Sequence, residues 1–128
     1  MGVKLLCHAA LLLCAMSFVA GASSAAFAST VDLYCKNDAD TGEFHLLINF
    51  DQSTVTRPGV YTGVEAKITS TQVVWRYDTS SDGSDPEDCT LSRDSGKLRT
   101  NYQIRTSSGK YQGNGAKFAT CTKAANVF

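Results

Sequence analysis

Glu43-Phe44-His45-Leu46-Leu47-Ile48-Asn49-Phe50-Asp51 is the stretch that decides the fold. Phe44, Leu46, Ile48 and Phe50 fall on one face of an extended chain, with His45, Asn49 and Asp51 on the other. That period of two is the pattern of a half-buried strand. Turn formers bracket it: Asn37 to Gly42 before, and Asp51-Gln52-Ser53 after.

The same alternation spreads outward from this segment. Val31 to Cys35 reads as a first strand with Leu33 and Cys35 on one face, and Thr54 to Thr56 as a short one before Pro58-Gly59 breaks the chain. Val64, Ala66 and Ile68 alternate with Glu65 and Lys67. From Gln72 to Asp78, Val73, Trp75 and Tyr77 share a face. Thr79 to Asp88 is polar and holds Gly83 and Pro86, so it reads as a mobile loop. Cys89 to Arg93 and Lys97 to Tyr102 flank Asp94-Ser95-Gly96, a hairpin with glycine at the left-handed position. Ser107-Ser108-Gly109 is another turn, and Ala116 to Thr122 the last strand. No segment carries a helical stripe. The expected fold is all-β, a small antiparallel barrel or sandwich of about 6–8 short strands.

Ahead of these strands lies a different kind of sequence. Lys4 begins a basic start, Leu5 to Val19 is almost wholly apolar, and Ala20-Gly21-Ala22 and Ala26-Phe27-Ala28 are small-residue sites. This order reads as a secretory signal peptide over residues 1–28, with cleavage after Ala28, or else after Ala22. Residues 29–128 are then a single secreted domain of about 100 residues, an ordinary domain size. Its location is periplasmic or secreted. Cys7 follows Leu6 and Cys14 follows Leu13, which does not suit lipid attachment, and no second apolar run suggests a membrane span.

Residues 1–28 contain one base, Lys4, and no acid, so the remainder carries one more acid than base. That balance argues against a nucleic-acid partner. Most acids precede Cys89, whereas Arg93, Lys97, Arg99, Arg105, Lys110, Lys117 and Lys123 follow it beside Asp94 alone. Strand pairing is expected to intersperse these charges. The other arrangement is a basic face suited to an acidic partner.

Cys35, Cys89 and Cys121 remain after the signal, enough for one disulfide and one thiol. A Cys35–Cys121 bridge is expected, because it joins the two ends of the domain. Cys89, beside Leu91 on one strand face, is then a free and buried thiol.

The chemistry-bearing residues are few. His45 is the one histidine after the signal, it lies on a polar strand face, and no nucleophile-elbow motif accompanies it. One histidine and scattered cysteines do not make a zinc site. Asp38, Asp40, Glu43 and the acids from Asp82 to Asp88 offer oxygen ligands, but without the distal glutamate of a calcium loop; turn chemistry accounts for them. No metal, cofactor or catalytic residue is expected. Phe44, Phe50, Trp75, Tyr77 and Phe118 are expected in the core, and Tyr61, Tyr102 and Tyr111 near turns at the surface. Phe128 is expected to close an apolar end of the domain.

Leu33-Tyr34-Cys35, Val74-Trp75, Leu91-Ser92-Arg93-Asp94-Ser95-Gly96-Lys97-Leu98 and Cys121-Thr122-Lys123-Ala124 with Phe128 follow one another along the chain. This series resembles a group of small exported bacterial β-domain proteins with an L-x-R-x-[ST]-G-x-L hairpin and a C-x-K-A…F ending. The resemblance implies the fold and export, and no catalytic residues; an aromatic is usual where this chain has Cys89. Tyr34-Cys35 and Ser108-Gly109-Lys110-Tyr111 also resemble motifs of periplasmic inhibitors of C-type lysozyme, which are small barrels. The Tyr-Thr-Lys-Gly motif of those inhibitors is missing here. These readings lead to a non-enzymatic domain binding a protein or envelope component, or alternatively to a lysozyme inhibitor using Ser108, Gly109, Lys110 and Tyr111. The oligomeric state is not legible.

Overall fold

The alternating segments close into a single sheet. The computed structural model describes residues 29–80 and 82–124, so the signal-peptide segment and Phe128 lie outside the described residues. Eight strands follow one another: β1 (Thr30–Asn37), β2 (Glu43–Asn49), β3 (Thr54–Arg57), β4 (Tyr61–Ile68), β5 (Gln72–Asp78), β6 (Pro86–Ser92), β7 (Lys97–Arg105) and β8 (Tyr111–Lys123). Each pairs antiparallel with its neighbour in sequence, and β1 pairs with β8 to close a barrel. The architecture is therefore the barrel form of the expected all-β fold. Among the described residues no helix is long and apolar enough to cross a membrane.

One end of the barrel, the near end, carries the β2–β3, β4–β5 and β6–β7 turns. The far end carries the other four connections. Leu46, Ile48, Val55, Val73, Trp75, Leu91 and Leu98 fill the middle of the barrel together with the three cysteines. In a barrel of eight strands, inward side chains suffice to fill the interior.

The seam between β1 and β8 is the one pairing that is not local in sequence. Cys35 and Cys121 face each other across it, and a disulfide joins them. Gly96 sits against the same seam: Cys121 N donates to Gly96 O at 2.8 Å. A Cβ on Gly96, whose φ is +69°, would lie 2.2 Å from the Cys121 carbonyl oxygen. Glycine is therefore needed there both for its backbone conformation and for the close approach.

Three expectations are corrected. Phe118 lies outside the barrel and is 50% exposed, because Ala119 and Cys121 take the inward positions of β8. Tyr61 points inward rather than out: it pairs with Arg57, and its hydroxyl accepts a 2.9 Å hydrogen bond from Trp75 Nε1. The polar loop is shorter than Thr79 to Asp88, since Pro86 opens β6 opposite Asp78. Proline is tolerated at a strand's first residue, where a missing N–H costs least.

Pairing also intersperses the charges. Lys97 Nζ lies 3.1 Å from Asp38, Lys117 Nζ 3.8 Å from Glu87 and Arg76 Nε 3.8 Å from Asp88.

Candidate functional site

Two features of the far end stand apart from the packed core. The first is the lumen. Arg57 lies two residues beyond inward Val55, Tyr77 two beyond Trp75, Glu87 two before Cys89 and Lys117 two before Ala119. Each thus stands at the next inward-phased position toward the far end, with Lys117, its side chain 64% exposed, at the mouth. The register brings them together: Tyr77 pairs with Glu87, Cys89 with Thr100, and Thr100 with Lys117. Polar and charged side chains thus enter the interior toward the far end, below the apolar middle of the barrel.

Within this lumen Glu87 is only 13% exposed at its side chain. Its Oε2 accepts a short hydrogen bond from the Tyr77 hydroxyl, and Lys117 Nζ approaches its Oε1 at 3.8 Å. The Tyr61 and Tyr77 rings lie 4.3 Å apart. Burial raises the pKa of both phenols; at Tyr77 the hydrogen bond to Glu87 raises it further. Both therefore remain protonated donors. Burial likewise pushes the Cys89 thiol up to about 11, with Thr100 Oγ1 3.6 Å from its sulfur. At neutral pH it is a thiol rather than a reactive thiolate.

Arg57 differs from its neighbours. Its guanidinium carbon lies 4.0 Å from the Phe44 ring centroid, a cation–π stack. Among the described residues its side chain makes no ion pair and no hydrogen bond. It faces a cavity of about 260 Å³ lined also by Asp40, Phe44, Tyr77, Glu87, Leu98 and Lys117.

The second feature is an arm. Pairing of β7 with β6 stops at Asn101, and pairing of β8 with β1 stops at Ala119, yet β7 and β8 continue to pair as far as Arg105 with Tyr111. The hairpin therefore runs past the barrel as two strands. Tyr102 lies over Gly115, where a Cβ would sit 2.4 Å from a ring carbon, so the ring packs directly on backbone. Arg105 braces the arm by donating to Gly109 O at 3.1 Å and to Ser84 O at 2.8 Å.

Ser108, Gly109, Lys110 and Tyr111 form the tip. Gly109 N donates to Thr106 O at 2.8 Å, and Lys110 N to Thr106 Oγ1 at 2.9 Å. Gly109 takes a φ of +83°, which favours glycine. The four residues are exposed, Tyr111 at 52%.

The remaining sequence candidates lie elsewhere. His45 Nδ1 is 2.9 Å from Asp32 Oδ1 on the outer face. Asp38 is held below the usual carboxylate range by the Thr120 hydroxyl and Lys97, and Asp40 by Asn37 and the Gly42 N–H. Asp82 is lowered to about 2 by Ser84 and Ser80. Asp40 and Asp82 are thus engaged by their own turns, and Asp38 by side chains of β7 and β8. Among the described residues no three His, Cys, Asp or Glu side chains converge as metal ligands would. The near end is an open cup of about 540 Å³ whose lining joins apolar Val31, Leu33, Phe50 and Leu91 to charged Arg93, Asp94 and Lys123.

No family model, curated protein or solved structure matches the chain.

Proposed function

We propose that this chain is an exported, non-enzymatic binding domain that docks a protein or cell-envelope component through the β7–β8 arm. The observation that carries the reading is the extension of this hairpin past its neighbours, with Lys110 and Tyr111 exposed at its tip. A tip of this kind presents a cation, an aromatic ring and free backbone edges together, the elements from which recognition surfaces are built. The bridge across the β1–β8 seam suits an oxidising compartment, periplasmic or extracellular.

Purified protein carrying the bridge is to be used as bait in periplasmic extract. A partner retained by the parent and by Ser70→Ala, on the opposite end, and lost with Lys110→Ala or Tyr111→Ala supports the reading. Retention by all variants refutes it.

A second reading, inhibition of C-type lysozyme, is favoured by the position of Ser108-Gly109-Lys110-Tyr111 at a protruding tip. Lys110 would act by charge on the cleft carboxylates, an attraction that strengthens as water is excluded. In a cell-wall turbidity assay the parent then inhibits and Lys110→Ala does not. Absence of inhibition at micromolar protein ends this second reading and leaves the first standing.

A further inference from the structure

Arg57 is the feature of the lumen that packing does not explain. A guanidinium loses hydration when it enters a half-buried site, and such groups are ordinarily paired. Two carboxylates line the cavity and neither pairs with Arg57: Glu87 accepts from Tyr77 and has Lys117 at 3.8 Å, and Asp40 accepts from Asn37 and from the Gly42 N–H. Arg57 is left lining the cavity with its guanidinium carbon over the Phe44 ring. A planar guanidinium held in this way matches a carboxylate bidentately.

The surroundings narrow the ligand further. Arg57 and Lys117 are balanced by Glu87 and Asp40 on the cavity lining, so the unpaired Arg57 guanidinium is the local anchor for an anion. Two neighbouring carboxylates work against a multiply charged ligand and leave a monoanion as the fitting class. Phe44, Leu98 and Ala119 supply an apolar wall. A volume of about 260 Å³ lies just below the usual range of ligand sites, which restricts the occupant to a small molecule.

We propose that the far-end lumen binds a small monocarboxylic acid with an apolar body, its carboxylate on Arg57 and its body against Phe44 and Leu98. This site is separate from the tip of the arm, and its occupancy does not depend on what the arm docks. Trp75 reports on it, because its indole N–H is bonded to Tyr61 at the lumen wall.

The test is titration of the bridged protein with benzoate, benzyl alcohol and inorganic phosphate, read by Trp75 fluorescence and by the Arg57 Nε–H resonance. Benzoate is expected to saturate with a Kd of about 0.1–10 mM, the range open to so small a ligand. Benzyl alcohol and phosphate should bind at least tenfold more weakly. Arg57→Gln should weaken benzoate at least tenfold, and Lys110→Ala should leave it unchanged. No saturation by benzoate, equal binding of benzyl alcohol or phosphate, or an unchanged Kd in Arg57→Gln would each overturn the proposal. Should Arg57→Gln lose its fold, the comparison of benzoate with benzyl alcohol on the parent protein decides alone.

Discussion

Replacing Cys35 and Cys121 together by alanine opens the seam on which barrel closure depends. The two cysteines are 86 residues apart in sequence, and every other strand pairing joins neighbours along the chain. In the chain-entropy treatment, releasing a loop of that length frees the unfolded chain by about 4.5 kcal/mol. Both sulfurs are buried in the core, so deleting them adds about 1 kcal/mol for lost packing. A total of roughly 5 kcal/mol is comparable to the whole stability of many small domains. The assay is urea unfolding followed by Trp75 fluorescence and far-ultraviolet circular dichroism. With a urea slope of about 1.5 kcal/mol/M the midpoint should fall by roughly 3 M. The slope itself should rise, because the unbridged unfolded chain exposes more surface. A loss below about 1 kcal/mol would refute the reasoning and show that the β1–β8 ladder closes the barrel without help.

Gly96→Ala should cost roughly 2–3 kcal/mol and lower the melting temperature by about 10–20 °C in calorimetry, since the new Cβ combines backbone strain with a clash. Gly59→Ala, at φ +80° but in open space, should cost less, and equal losses would contradict the account. Asp82 has a folded-state pKa lowered to about 2, so its contribution to stability is present above its ordinary value of 3.8 and disappears as pH falls toward 2. Carboxyl-carbon NMR should show that low midpoint, and Asp82→Asn should flatten part of the acid decline; a midpoint at 3.8 or above would contradict this. N-terminal sequencing of exported protein should begin at Ser29, or at Ser23 for cleavage after Ala22. Recovery of the intact Met1 chain in the membrane fraction would count against cleavage.

Much of the barrel was legible because burial on one face writes itself into alternation. Phe44 to Phe50 and Val73 to Tyr77 show it without interruption, and both became strands. The Cys35–Cys121 bridge followed from its place at the two ends of the domain. The charged lumen was not legible, since polar residues at alternate positions read as outward. Arg57 and Glu87 also stand beside Pro58 and Pro86, which suggest loop. Counting by twos from the bridged Cys121 through Ala119 puts Lys117 in phase with the inward positions, at the mouth of the lumen, and Phe118 outside, a signal that hydrophobicity alone obscures. The arm exceeds the strands expected from the sequence at both β7 and β8, because beyond Asn101 and before Lys117 it packs against no core. It therefore carries no hydrophobic period to mark it.

Site-specific photo-crosslinking tests the docking role of the arm most directly. A photoreactive residue is placed at position 110, at the tip, and in a second strain at position 70, in the exposed β4–β5 turn of the near end. Cells exporting each variant are irradiated, and the bridged protein is recovered and sized. The account predicts a discrete heavier adduct from position 110 that is absent from position 70. The same adducts from both positions, or none from position 110, would contradict it.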